Sequence, residues 1–227
     1  MSYDALLLDY DGVVVEVLSD EYRLPAFREA IEAQLRADGV EDEALVEQFA
    51  RSVTYDELQT ASERTGIDLE RLWQYRDDAI AAVLRQAARE GKKCPYDDVD
   101  VLADVDVPMA VASNNQKRVV EAICDTYDLT AHFDAIHART PTPESLHRKK
   151  PEPLFVERAC EAIGAENPLY VGDRGKDIVA GQRAGMDTAL IRRPHTRDRT
   201  WDVEPTYEVD GLDELLPVLN GGAEPRA

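Results

Sequence analysis

Hydrophobic and polar positions change their period twice along this chain. Leu6-Leu7-Leu8 is an apolar run that stops at Asp9, and Asp11 and Gly12 follow before Val13 and Val14. This pattern predicts a buried strand that delivers its polar residues to the edge of a sheet. Side chains alternate on extended backbone, so Asp9 and Asp11 point the same way, and Gly12 allows a sharp turn beyond them. From about residue 20 to 90 the period becomes helical. Leu24, Phe27, Ala30, Ile31 and Leu35 share a face that ends at Gly39, and Asp42 can cap a second helix through Phe49. Thr54 and Glu57 have capping-box spacing, and Asp68 precedes a run with Leu69, Leu72 and Trp73. A further, longer helix through Ile80, Val83, Leu84, Ala87 and Ala88 stops at Gly91. No strand pattern interrupts this block, which predicts an all-helical insert over 16–94.

From Tyr96 the pattern alternates strand and helix, the signature of an α/β doubly wound parallel sheet. Strands are expected at 107–112, 135–138, 169–171 and 188–191, and helices at 116–127, 153–163 and 178–184. Leu212, Leu215, Leu216 and Leu219 mark a closing helix, with a loose tail expected after Asn220. The core domain is thus discontinuous, 1–15 and 95–227. Open sheets of this kind bind ligands beyond the carboxyl ends of their strands, where Asp9 and Asp11 would stand.

Charge narrows the function. The 46 Asp and Glu against 26 Lys and Arg leave a formal net charge of -20. That field repels nucleic acid, so none is expected as a partner. Arginine outnumbers lysine, and an acidic, lysine-poor surface suits a halophilic protein whose self-repulsion is screened by salt. No apolar run is long enough to span a membrane, and the start lacks a signal peptide's basic residues, so the expected location is cytoplasmic. Cys94, Cys124 and Cys160 are scattered and fit small core residues better than a disulfide framework or zinc site. The acidic run Asp97, Asp98, Asp100, Asp104, Asp106 lacks the oxygen ligand and glycine of a calcium loop, and Asp97 reads as a helix cap. The histidines have no metal-ligand spacing, and Arg192–Arg199 reads as a solvated loop.

Four short stretches carry the chemistry. Asp9-Tyr10-Asp11-Gly12-Val13, then Ser113-Asn114 after Met109-Ala110-Val111-Ala112, then Lys150-Pro151-Glu152-Pro153, then Gly172-Asp173-Arg174-Gly175-Lys176-Asp177 each fall at an expected strand end or helix start. In this order they resemble the four motifs of the haloacid dehalogenase superfamily, over roughly residues 3–219. The resemblance implies a Rossmann-like core with a helical cap domain between the first and second motifs, and a phosphatase branch similar to phosphoglycolate phosphatases. It implies Mg2+ held by Asp9, the backbone carbonyl of Asp11, Asp173 and Asp177, the last either as a ligand or by orienting metal waters. Asp9 would be the nucleophile that forms an aspartyl-phosphate, and Asp11 the general acid and base. Ser113 and Lys150 would hold the transferring phosphoryl group, with Asn114 shaping that edge; Lys149 is the rival lysine and is expected to be exposed.

The expected activity is therefore phosphatase action on a small phosphorylated metabolite by a monomer or homodimer. A phosphomutase is the nearest alternative. A dehalogenase, which lacks the carboxylate Asp11 provides, and a non-catalytic scaffold are more distant. Two departures from the family pattern stand out: Arg174 where relatives carry a small polar residue, and a long proline-rich stretch over 138–148 that could recognise substrate.

Overall fold

The computed structural model describes residues 2–222. Strand β1 (Ala5–Leu8) is buried at every position and ends one residue before Asp9. Beyond the turn that follows it the chain enters a compact helical unit formed by Leu18–Lys93 together with Thr140–His147. Its helices are α1 (Asp20–Ala37), α2 (Glu43–Ala50), α3 (Tyr55–Thr65) and α4 (Leu69–Arg89). Each starts where a side-chain oxygen takes a backbone N–H that the helix itself leaves unpaired: Ser19, Asp42, Thr54 and Asp68. Thr54 and Glu57 form the reciprocal capping box their spacing predicted.

The two apolar runs expected as separate helices between Leu69 and Ala88 lie on one, α4. The intervening sequence contains no Gly or Pro to break it. Phe27, Ile31, Leu35, Leu45, Phe49, Leu58, Leu72 and Trp73 form this unit's own core. Leu146 packs into that core and the His147 ring lies 4.4 Å from the ring of Tyr55, so residues 140–147 belong by contact with the helices and not with the sheet. Burying one leucine of this kind is worth roughly 1.5–3 kcal/mol, which favours the segment's place against the helices.

The second unit comprises the chain up to Val17, Cys94–Arg139 and the chain from Arg148. After β1 come β2 (Met109–Gln116), α5 (Lys117–Thr126), β3 (Ala135–Arg139), α6 (Leu154–Ile163), β4 (Pro168–Gly172), α7 (Gly175–Arg183), β5 (Asp187–Ile191), β6 (Tyr207–Val209) and α8 (Leu215–Leu219). The strands form one parallel sheet in the order β3-β2-β1-β4-β5-β6. This is the α/β fold with an inserted helical segment that the pattern predicted. Ala5, Leu7, Ala110, Ala112 and Tyr170 pack with Phe155, Val156 and Ala159 of α6, which explains why these strands are apolar on that face, while Leu6, Leu8, Val111, Leu169 and Val171 are buried as well.

Strand β6 was not foreseen. Three residues at a sheet edge, with Glu208 between Tyr207 and Val209, are too short to show a period. Asp97 does not cap a helix. A 3-10 turn spans Val99–Asp104, and the residue before it, Asp98, spends its carboxylate on Arg193 instead. Among the described residues no helix is long and apolar enough to cross a membrane. Most of the tail expected after Asn220 lies outside the described residues.

Candidate active site

The strand order decides where the polar residues meet. β1 lies between β2 and β4, with Leu8 level with Val111 on one side and Val171 on the other. The chain ends of these three strands therefore bring Asp9, Ser113 and Asp173 to one edge of the sheet, and the Asp9 N–H donates to Val171 O at 2.8 Å. Helix α7 starts two residues after Asp173, and Asp177 sits in its first turn. Gly172 lets helix and strand end close together: a Cβ there would lie 2.2 Å from the Asp177 Cβ. Gly12 does the same for the turn after β1, with a φ of +91° and an absent Cβ that would meet Asp173 Oδ2 at 2.4 Å. As a result Asp9, Asp173 and Asp177, all buried, offer carboxylate oxygens within 4.8 Å of one another. Asp177 also caps α7, its Oδ2 accepting from the Arg174 N–H at 3.2 Å, so its capping role and its place in the cluster coexist.

Lys150 is the cation in this cluster, reached through the loop before α6. Its ammonium lies 2.7 Å from Asp9 Oδ1 and 2.8 Å from Asp177 Oδ1, and donates to Ala112 O and Tyr170 Oη, each at 2.9 Å. Asp177 Oδ1 has this ion pair but no partner of hydrogen-bonding geometry. Burial alone would lower the Lys150 pKa; the carboxylates of Asp177 and Asp9 outweigh it and hold the ammonium well above its ordinary range. Burial would likewise raise Asp177, and Lys150 outweighs it, leaving that carboxyl below its usual range. Asp9 goes the other way. Burial, with Asp177 and Asp173 nearby, pushes it up to about 7 against the pull of Lys150. Lys150 is the buried cation among these three carboxylates, Arg174 reaches Asp173 from a partly exposed side chain, and a divalent cation would add positive charge inside the cluster.

The donors suit such an ion. They are all oxygens, as magnesium requires, and Asp173 Oδ1 is buried with no hydrogen-bond partner. Asp11 stands outside the carboxylate cluster, half-buried, and its Oδ2 accepts from Asn115 Nδ2 at 2.8 Å. Ser113 is buried, with its Oγ accepting from the Asn115 N–H at 3.1 Å. Asn114 turns to the Lys150 backbone, taking its N–H on Oδ1 at 2.7 Å and donating from Nδ2 to its carbonyl at 3.3 Å. Lys149 is half-buried where it was expected exposed. Arg174 reaches Asp173 Oδ2 at 3.3 Å from a side chain 37% exposed, a contact weakened by solvent.

Three partners had no signal in the sequence. Asn115 looks like a second copy of Asn114, Tyr170 like any apolar strand residue, and His195 like a loop histidine. In the fold they bond to Asp11, Lys150 and Asp173 respectively.

Similarity to known proteins agrees with this geometry. The chain is 32% identical over 122 residues to phosphoglycolate phosphatase 1 of Pseudomonas aeruginosa, a match covering 52% of this chain and 43% of that one. It is 28% identical over 129 residues to the pyrophosphatase PpaX of Bacillus cereus, covering 55% and 57%. The chain thus spans about half the length of the curated relatives it matches. In fold it resembles the crystal structure of CbbY from Rhodobacter sphaeroides in complex with phosphate, with a TM-score of 0.66 over 94% of this chain and 96% of that one at 19% identity. The family model for haloacid dehalogenase-like hydrolases matches residues 3–185, which includes every carboxylate of the cluster, and the chain belongs to that family.

Proposed function

We propose that this hydrolase is a magnesium-dependent phosphatase of a small phosphorylated metabolite, acting through an aspartyl-phosphate on Asp9. The convergence of Asp9, Asp173 and Asp177, with Lys150 paired to Asp9 and Asp177, carries the reading. Asp9, Asp173 and Asp177, with the Asp11 carbonyl, would hold the ion, which when bound neutralises the phosphoryl oxygens and keeps Asp9 ionised. The Asp9 carboxylate attacks phosphorus as the ester oxygen departs, and Asp11 gives that oxygen its proton. Asp11 then takes a proton from the water that attacks the phosphorylated Asp9, releasing phosphate and restoring the carboxylate. The bond from Asn115 to Asp11 orients the carboxyl for both transfers. Lys150 balances the charge of Asp9 and Asp177, and Ser113, on the adjacent strand two residues past the level of Leu8, is a donor for a phosphoryl oxygen.

Phosphoglycolate and pyrophosphate, for which the relatives are named, are the first substrates to test, followed by sugar phosphates. The mechanism is tested with p-nitrophenyl phosphate. Asp9→Asn should abolish turnover. Asp11→Asn should still form the intermediate, because nitrophenolate needs little protonation, and then hydrolyse it about 10² to 10⁴-fold more slowly. Rapid mixing should show a burst near about one equivalent of enzyme, and intact mass after acid quench a phosphorylated chain. Turnover of Asp11→Asn at the wild-type rate, or no wild-type activity on any ester with magnesium, would overturn the reading.

A further inference from the structure

The most basic stretch of the chain, Arg192–Arg199, buries Arg193 and brings a partly exposed His195 against a buried carboxylate. Arg193 is 5% exposed. Its guanidinium holds both oxygens of Asp98 at 2.7 and 2.9 Å, donates to Val13 O at 2.9 Å, and lies 3.9 Å from the centre of the Tyr96 ring. Asp98 in turn accepts from the Leu212 N–H at 2.8 Å. One arginine thus ties the loop after β5 to the turn that carries Asp11 and Gly12. His195, two residues on, is placed with Nε2 2.7 Å from Asp173 Oδ2 and Nδ1 3.4 Å from Tyr96 Oη. Burial keeps the Tyr96 phenol protonated, which suits donation to Nδ1 and leaves the Nε2–H for Asp173. The pair lies directly against Gly12, whose absent Cβ would come 3.0 Å from His195 Nε2.

We propose that His195 is a positioning residue for the metal site: by donating to Asp173 Oδ2 it fixes the carboxylate so that Oδ1, buried and otherwise without a partner, is the atom offered to the ion. A carboxylate rotates in a broad two-fold torsion, so without a strong donor on one oxygen its orientation is not set. Arg174, at 3.3 Å and partly exposed, is a poor substitute. His195 is not one of the groups within mutual reach in the cluster, so it acts through Asp173 and not as a ligand. Partners of this kind that orient metal-binding groups typically alter affinity by 10- to 100-fold, about the effect expected here.

This inference rests on the magnesium reading, and calorimetric titration of the full chain with MgCl2 separates the two. His195→Phe keeps a ring and loses the donor; His195→Gln keeps a donor of similar reach. Wild type should bind magnesium, His195→Phe should bind it about 10 to 100-fold more weakly, and His195→Gln should recover most of the loss. Thermal unfolding in EDTA should leave both variants close to one another, since a packing defect would follow size and not donation. His195→Ala makes the same comparison against His195→Gln if the phenyl variant does not fold. Binding by the donorless variant within about twofold of wild type, or a His195→Gln as weak as it, overturns the role of His195 while leaving the magnesium reading intact. Absence of binding by wild type overturns both.

Discussion

Replacing Lys150 by methionine removes the ammonium from between Asp9 and Asp177 while keeping a side chain of similar length. Its side chain is fully buried and Asp177's is too, so solvent cannot take over the lost charge. Breaking a buried pair from one side costs about 3–5 kcal/mol, because the remaining charge is left uncompensated. At about 2–4 °C per kcal/mol for a chain of this size, the midpoint of thermal unfolding in EDTA should fall by roughly 6–20 °C.

The pH dependence has a definite sign. In wild type the folded pKa of Asp177 is depressed by Lys150, so this group contributes stability above its unfolded pKa and loses it as pH falls through the folded value. Without Lys150, burial dominates: the folded value of Asp177 rises above the unfolded one, and that of Asp9, already raised, goes higher still. The fold then binds more protons than the unfolded chain, and stability falls as pH rises between those values. The loss should accordingly be larger at about pH 8 than at about pH 5. Adding Asp177→Asn to Lys150→Met should recover part of it, with a coupling of about 0.5–3 kcal/mol. A destabilisation under about 1 kcal/mol, or one equal at the two pH values, would refute the charge balance described for this cluster.

Three further outcomes are expected. Burial and the neighbouring carboxylates push Asp9 up to about 7, so protons should compete with magnesium below that pH: affinity should weaken up to about tenfold per pH unit, with proton release on binding, and a pH-independent calorimetric affinity would contradict this. Gly172→Ala forces a carbon to within 2.2 Å of the Asp177 Cβ and should cost about 1–3 kcal/mol while weakening magnesium binding; unchanged melting and binding would show that the close approach is not needed. With a net charge of -20, the melting temperature should climb with KCl toward about molar concentration as the Debye length shrinks to about 3 Å, and a flat or falling curve would remove the high-salt reading.

What could be read locally was encoded locally. A strand that stops at Asp9, helices that begin at Asp42, Thr54 and Asp68, and a glycine beside each carboxylate stretch are patterns within a few residues, where side-chain period and backbone hydrogen bonding act directly. Asp9, Lys150, Asp173 and Asp177 were nameable because the short stretches that hold them, taken in order, resemble the four motifs of the family, and local pattern alone would have left each as a strand end or a helix start. The fused helix α4 and the edge strand β6 show the limit of that reasoning, because one needs the absence of a break and the other is too short for a period. Tertiary structure alone decided which asparagine meets Asp11, since the backbone past Ser113, where the register between β2 and β3 shifts, turns Asn115 toward it and Asn114 toward Lys150. It alone brought His195 to Asp173 and Arg193 to Asp98 and Val13, across separations of 22, 95 and 180 residues. Those pairings depend on strand order and loop path, and a histidine or arginine in a basic loop has the same local sequence whether it faces water or a buried carboxylate.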